Sequence, residues 1–346
     1  MHADWPEENV APNRAPLTIR DVAAAAGVST STVSRVLDER LPTSRSAAAE
    51  RVRKAAADLG YRRDLSAASL RRGKTATIGV VVPRLTDTVM AMLYEALARA
   101  CNRTQLFAIV ATTDDQPRAD RVAAEALLQR RVDGLVLSTA REGDDLPEVL
   151  AQRGVPFVLA LRTDGKSLSS VGDDELGGYL ATRHLLDLGH RRIGLIAGPT
   201  YASSARGRQV GYKQALAEAG VHPEPGLIVD SSFSIEAGAE ATQLLMSQHP
   251  RPTAIFAVND NTAVGALSAL HALGLSVPHD LSLVGYNDIP IASRLPTPLT
   301  TVRVPFDQIA QAALELLATP PPADQPRTCI ATPTLIPRRS SAPFRE

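Results

Sequence analysis

The sequence predicts an α/β protein with a small all-α unit at its amino end, and three observations carry that prediction. From Ile78 onward, short β-rich apolar runs alternate with helical stretches, the pattern of parallel sheets covered by helices. The alternation restarts after residue 175, so two α/β lobes are expected. Before residue 75 the apolar spacing is helical instead, and the charge changes with it. Residues 17–74 hold 12 Lys and Arg against 6 Asp and Glu, whereas residues 75–346 hold 24 against 28 and residues 1–16 hold 1 against 3. The zero net charge of the chain thus conceals a basic module joined to a mildly acidic one, as expected when one end meets a polyanion. A merely solvated arginine-rich face would give the same imbalance, so the motifs must decide.

With 346 residues, 44% of them hydrophobic and 21% charged, the chain has room for two or three domains and reads as soluble. Residues 1–16, MHADWPEENVAPNRAP, place acidic residues and prolines where a secretory signal needs basic residues and an apolar run; a disordered leader is expected. No apolar run approaches about eighteen residues, so no membrane span is predicted. The two cysteines, Cys101 and Cys329, lie far apart, which fits a reduced cytoplasmic compartment.

Residues 17–62 read as a three-helix unit. Thr18 and Asp21 make a capping-box-like start to IRDVAAAAG, with Ile19, Val22, Ala23 and Ala26 on one face and Gly27 stopping the helix. Ser29 caps a second helix whose buried stripe is Val33, Val36 and Leu37. Two short helices across a three- or four-residue turn form a helix-turn-helix. Hydroxyls crowd the second helix, although Ser and Thr are mediocre helix formers. At a nucleic-acid surface they are useful: Thr32 and Ser34 can donate to phosphate oxygens. Thr30 and Ser31 lie at the exposed end that reaches base edges in the major groove, and Arg35, one turn on, is the candidate for a bidentate contact to guanine. AAAERVRKAAADLGY supplies the third helix, with Val52, Ala55, Ala56 and Leu59 inward and Gly60 ending it. In RRDLSAASLRRGKTA, residues Leu65, Ala68 and Leu70 are too small an apolar stripe to hold a helix alone, so this segment is one that DNA could order.

LTIRDVAAAAGVSTSTVSRVL, followed by LGY, AASLRRGKT and IGVVVP, resembles the lactose and galactose repressor (LacI/GalR) family of bacterial transcription regulators. The resemblance continues through RRVDGLVL, HLLDLGHRRIGLIAGP, SARGRQVGYKQAL, AIFAVNDNTAVGAL, LSLVGYNDIP and PLTTVRVPF, spanning roughly residues 17–338. It implies that residues 63–75 form a hinge helix and linker, in which Leu70 matches a leucine driven into the minor groove and Ala67 the alanine packed beside it. It also implies that residues 76–338 form an effector-binding and dimerisation domain like the periplasmic sugar-binding proteins. Lobe one would take about 76–172 and 303–330, lobe two about 173–302 and 331–338, and 339–346 would be a flexible tail. The chain departs from the family where Arg62, Arg63 and Asp64 follow Tyr61 in place of Pro-Asn, and where Ala68 replaces a common arginine.

Ligands of such lobes bind outside the carboxyl ends of strands. The residues there are polar in a patterned way: Asp87 near Val89, Arg162, Asp173, Asn259 with Asp260, and Asn287 with Asp288. Asx residues after strands often cap the next helix, and both readings stand for Asp260 and Asp288. By resemblance, Arg208 is the effector-binding arginine, Asn259 a pocket asparagine, Phe233 an aromatic platform and Phe306 a hydrophobic wall between the lobes. Leu161 stands where many sugar-binding relatives have an aspartate, and Asn287 where the first aspartate of Gly-Tyr-Asp-Asp would be, which removes two strong acceptors for sugar hydroxyls. Arg84, Arg162 and Arg208 all approach the expected cleft. A neutral sugar is the first expectation for the effector and an anionic metabolite the second.

His184 and His190 are spaced to fall on different sides of a helix and its cap, so a metal pair is not expected, and no cofactor is. G-x-S-x-G, H-E-x-x-H and G-x-G-x-x-G do not occur, and no nucleophile has an evident base, so no catalytic residue is assigned. The sequence predicts a ligand-responsive repressor acting as a homodimer on a pseudo-palindromic operator. The tail TLIPRRSSAPFRE lacks leucine heptads, which favours a dimer over a tetramer. A solute-binding protein or an α/β enzyme acting on sugars or nucleotides would share the lobes but not the basic head.

Overall fold

The computed structural model describes residues 17–38, 42–61, 74–322 and 325–345. It divides into two compact units, Met1–Thr75 and Ala76–Glu346.

The first unit contains helices α1 (Ile19–Ala26), α2 (Thr30–Val36) and α3 (Ala47–Leu59). Asp21 Oδ2 accepts from both the amide (2.7 Å) and the hydroxyl (2.8 Å) of Thr18, tying down the start of α1. Gly27 and Gly60 end α1 and α3 with φ of 63° and 65°, left-handed values that favour glycine. Val22, Ala23, Ala26, Val33, Val52, Ala55 and Ala56 form the core, flanked by Ile19, Val36, Leu37 and Leu59. Ser46 caps α3, accepting from the Ala49 amide at 3.2 Å. Arg51 Nε donates to the Ala26 carbonyl at 3.3 Å and so ties α3 to the end of α1. The segment expected to form the hinge helix, with Ala67 and Leu70, lies outside the described residues.

The second unit is built from two six-stranded sheets. Lobe one contains β1 (Thr77–Val82), α4 (Thr88–Arg103), β2 (Phe107–Thr112), α5 (Pro117–Gln129), β3 (Gly134–Leu137), α6 (Leu146–Gln152), β4 (Phe157–Ala160) and β5 (Ser169–Gly172). Lobe two contains α7 (Asp174–Asp187), β6 (Ile193–Ala197), α8 (Ser203–Glu218), β7 (Ile228–Asp230), α9 (Ile235–Met246), β8 (Ala254–Ala257), α10 (Asp260–Ala272), β9 (Ser282–Asn287) and β10 (Thr300–Arg303). The chain then crosses back: α11 (Phe306–Ala318) packs on β4 and β5, and β11 (Thr328–Ala331) joins the first sheet before β12 (Thr334–Ile336) joins the second. The strand orders are β11-β5-β4-β3-β1-β2 and β12-β10-β9-β8-β6-β7.

Among the described residues, every pairing is parallel except that of β12 with β10. The parallel strands are covered on both faces, which is why Val80, Val81, Val82, Leu135 and Val136, or Ile255, Phe256 and Val284, are all fully buried in continuous apolar runs. β12 runs the other way, entering the second sheet two residues after β11 leaves the first. Helices α7 and α8 pack backbone against backbone at Gly211, where an added Cβ would lie 1.9 Å from the Glu175 carbonyl oxygen.

The end of the chain departs from expectation. Residues 339–346 were expected to form a flexible tail, but those described, 339–345, are docked on lobe two. Ser340 is fully buried, its Oγ donating to the Leu283 carbonyl at 2.6 Å and accepting from the Thr300 amide at 2.7 Å. His184 Nε2 lies 2.8 Å from Ser341 Oγ, and His190 Nε2 lies 3.1 Å from the Ala342 carbonyl. The His190 and Phe344 rings are 5.8 Å apart, centroid to centroid. Both histidines are thus occupied in holding the tail, and burial pushes both of their pKa values down. The polar and short side chains of SSAPF gave no periodic signal for this docking.

Candidate functional site

A cavity of about 680 Å³ opens between the lobes at the carboxyl ends of their strands. Lobe one contributes Asp87, Val89, Asp115, Arg141 and Arg162, and lobe two contributes Tyr201, Arg208, Phe233, Asn259 and Asn287. Of the eight effector residues expected from sequence, Asp87, Val89, Arg162, Arg208, Phe233, Asn259 and Asn287 line it. Phe306 does not: at the first position of α11, 6% exposed, it is packed into the hydrophobic core.

Each functional side chain is held by its element. Asp87 caps α4, accepting from the Val89 amide and from Asn261 Nδ2, both at 3.0 Å. Burial pushes its carboxyl up despite those hydrogen bonds and the nearby Arg84. Asn259 caps α10, accepting from the Thr262 amide at 2.8 Å while its Nδ2 donates to the Phe233 carbonyl at 3.1 Å. That bond fixes the Phe233 loop, and Gly198 leaves room for the ring: a Cβ there would lie 2.9 Å from Phe233 Cε1. Arg208, 7% exposed, donates Nε to Asp174 Oδ1 at 2.8 Å and Nη1 to the Val258 carbonyl at 2.7 Å, and its guanidinium lies 3.7 Å from the Tyr286 ring centroid. Arg162, 4% exposed, makes a bidentate pair with Asp115 at 3.0 and 3.3 Å.

Asp260 and Asp288 take neither role left open for them. Asp260 follows the cap residue, and its buried carboxylate accepts from Thr301 Oγ1 at 2.6 Å and the Ile289 amide at 2.8 Å. Asp288 pairs with Arg303 and Arg338 at 2.7 and 2.6 Å.

Asp115, Arg141, Tyr201 and Asn261 were missed from sequence. Tyr201 Oη donates to Asp115 Oδ2 at 2.7 Å, and Arg141 lies 4.0 Å over the Tyr201 ring. Burial pushes the Asp115 carboxyl up, but the Arg162 pair, the Tyr201 hydroxyl and Arg141 outweigh it and hold it below the usual carboxylate value. The signal was available: Asp115, Arg141 and Tyr201 each follow a strand, β2, β3 and β6, as the chosen residues do. Asp114, Asp115, Leu161 and Asn287 all line the cavity with positive φ (51°, 59°, 64° and 102°), a concentration of backbone strain typical of functional sites.

In the first unit, the hydroxyls of α2 divide into two sets. Ser29 Oγ accepts from the Thr32 amide at 3.2 Å and lies 2.8 Å from Ser31 Oγ and 2.9 Å from Thr32 Oγ1, so these three form a capping cluster. Thr30 and Arg35 are exposed, and Ser34 is half-buried. Thr18 is exposed at the start of α1.

A helix-turn-helix unit followed by two α/β lobes closing on a polar cleft defines a DNA-binding regulator with a periplasmic-binding-protein-like sensor. The family model "Bacterial regulatory proteins, lacI family" matches residues 18–64, and "Periplasmic binding protein-like domain" matches residues 182–341. The ribose operon repressor of Escherichia coli (strain K12) is 36% identical over 331 residues, covering 94% of this chain and 99% of that one. Among solved structures, the lac repressor dimer bound to operator and the anti-inducer ONPF superposes with a TM-score of 0.83 at 29% identity, covering 94% of this chain and 99% of that one. A LacI family transcriptional regulator from Enterococcus faecium with bound ribose gives a TM-score of 0.67 at 29% identity, covering 78% of this chain and 100% of that one. The chain belongs to the LacI family of bacterial regulatory proteins.

Proposed function

We propose that this chain is a transcriptional repressor whose homodimer binds a pseudo-palindromic operator and whose affinity for it is set by a neutral sugar, a pentose of the ribose kind, in the cleft between the lobes. One observation carries the choice of a neutral ligand. The four arginines lining the cavity (Arg84, Arg141, Arg162, Arg208) are matched by four carboxylates (Asp87, Asp114, Asp115, Glu236), and the two buried guanidiniums are already paired. An anionic ligand that engaged either buried guanidinium would have to displace a carboxylate from it, whereas hydroxyls can use the free lone pairs of Asp87 and the remaining N–H groups without breaking a pair. Phe233 offers an apolar face for a sugar ring. The names of the relatives, a ribose operon repressor and a regulator with bound ribose, point the same way.

Recognition of DNA is assigned to α2. Thr30, Ser31 and Arg35 are assigned to base edges, while Thr18, Ser29, Thr32 and Ser34 position the helix on phosphates. Ala67 and Leu70 are assigned to the minor groove. The protein works where the chromosome is, in the cytoplasm; among the described residues no helix is long and apolar enough to cross a membrane. No catalytic step is assigned to the cleft.

A thermal-shift panel tests the ligand class, because a ligand that binds only the native state raises its stability. D-ribose or another neutral pentose should raise the midpoint, and ribose 5-phosphate should do so less. A larger shift with the phosphate would overturn the neutral-ligand reading.

A further inference from the structure

The two lobes are bridged on both rims of the cleft by side chains that also line it. On one rim, Asn261 of lobe two donates to Asp87 of lobe one at 3.0 Å. On the other, Tyr201 of lobe two reaches Asp115 of lobe one at 2.7 Å, with Arg141 over its ring. The same loop is fastened again where the Glu142 amide donates to the Tyr201 carbonyl at 3.1 Å, the Thr163 amide to Ser203 Oγ at 2.9 Å, and Arg206 pairs with Glu142. These contacts are unequal. Arg206 and Glu142 are exposed, and such a pair contributes little in water. The Tyr201–Asp115 bond ends on an ionised carboxylate that is largely buried and held by two arginines, so its geometry is fixed and its strength is that of a charged hydrogen bond.

We infer that Tyr201 is the positioning residue that holds the cleft closed. Asp115 and Arg162 form its receptor on lobe one. Three features of the cleft together fit Tyr201 for this role. Asp115 sits at φ 59° directly after Asp114 at φ 51°, a turn that carries its carboxylate to the lobe boundary at a cost in backbone energy. Arg162 uses its fork on Asp115, which orients the acceptor toward Tyr201. Tyr201 supplies both a hydroxyl and a ring face to lobe one, and it is joined to α8, the helix that bears Arg208, by a single residue. Release of a sugar from the closed cleft would therefore require the Tyr201 bond to break.

The sugar part of this inference rests on the proposed function; the latch does not. Tyr201→Phe removes the donor and keeps the ring. Small-angle X-ray scattering of the full chain without sugar should give a larger radius of gyration for the variant than for the wild type, and stopped-flow release of D-ribose should be about tenfold faster, the fold-change of one charged hydrogen bond. Identical scattering from unliganded wild type and variant overturns the latch, even if D-ribose binds more weakly, because a mere contact with the sugar would do that alone. Expansion of the variant with no binding of D-ribose by either protein supports the latch and overturns the ribose reading instead. Should Tyr201→Phe fail to fold by circular dichroism, Asp115→Ala, which removes the acceptor, takes its place in the scattering comparison: expansion supports the latch and an unchanged radius overturns it.

Discussion

Arg208 is where sensing and folding meet, and removing it separates the two. Its guanidinium is 7% exposed, and the Asp174 side chain that it pairs with is 12% exposed. Arg208→Ala leaves that largely buried carboxylate without its cation, a loss expected to cost about 3–5 kcal/mol. For a sensor of this size, such a loss lowers the thermal midpoint by roughly 10 °C. Replacing both members, Arg208→Met with Asp174→Leu, removes the stranded charge and keeps most of the volume, so the double variant should return to within about 1 kcal/mol of wild type. Urea titrations of the full chains, compared at equal slopes, give the two differences. Both variants should lose the response of operator binding to sugar, since the guanidinium is missing from the cavity wall in each. If the double variant proves as unstable as Arg208→Ala, the stability does not come from compensation of Asp174 and the reasoning fails.

Three further outcomes can be checked. Arg35→Ala should weaken operator binding by about 1–3 kcal/mol and relax preference at one base pair; an unchanged sequence profile in a binding-selection experiment would remove Arg35 from base readout. Leu70→Ala should reduce DNA bending and specific binding while leaving sugar affinity alone, so a bend angle equal to wild type in a circular-permutation assay would refute the wedge. Asp260 is buried, and burial pushes its carboxyl from 3.8 up to about 7, against the hydrogen bonds from Thr301 and Ile289. Because the folded value is the higher one, the folded chain keeps a proton that the unfolded chain has released. Its contribution is fully present below about pH 4 and is lost as pH rises to about 7, a change on the order of 4 kcal/mol. Asp260→Asn should remove that downward slope; urea midpoints at pH 5 and pH 7.5 that differ as much in the variant as in the wild type would contradict the assignment.

The sequence made the fold legible because its signals are local and repeated. Gly27 and Gly60 end their helices in left-handed turns, Val33 and Val52 are buried where helical spacing put them, and the apolar runs from Ile78 onward are parallel strands. The cleft was legible in part for the same reason, since residues after strands collect at one edge of each sheet. What escaped is pairwise and distant in sequence. Asp174 meets Arg208 only through the packing of α7 on α8, and Asp115 meets Tyr201, and Asn261 meets Asp87, only where the lobes close. Phe306 was misplaced because an aromatic at a crossover looks the same whether it faces a ligand or the core. The docked tail was missed because Ser340 is buried through hydrogen bonds, and apolar periodicity does not register a buried serine.

A sugar in the cleft is expected to govern the grip of the amino-terminal helices on DNA. Fluorescence anisotropy of the full-length chain on a fragment of its own upstream promoter, against a random duplex at moderate salt and titrated with D-ribose, tests it most directly. Preference for the promoter fragment, with an affinity that D-ribose changes by about tenfold or more, is the expected result. Equal binding to both duplexes, or promoter binding that D-ribose leaves unchanged while it raises the thermal midpoint, would contradict the account.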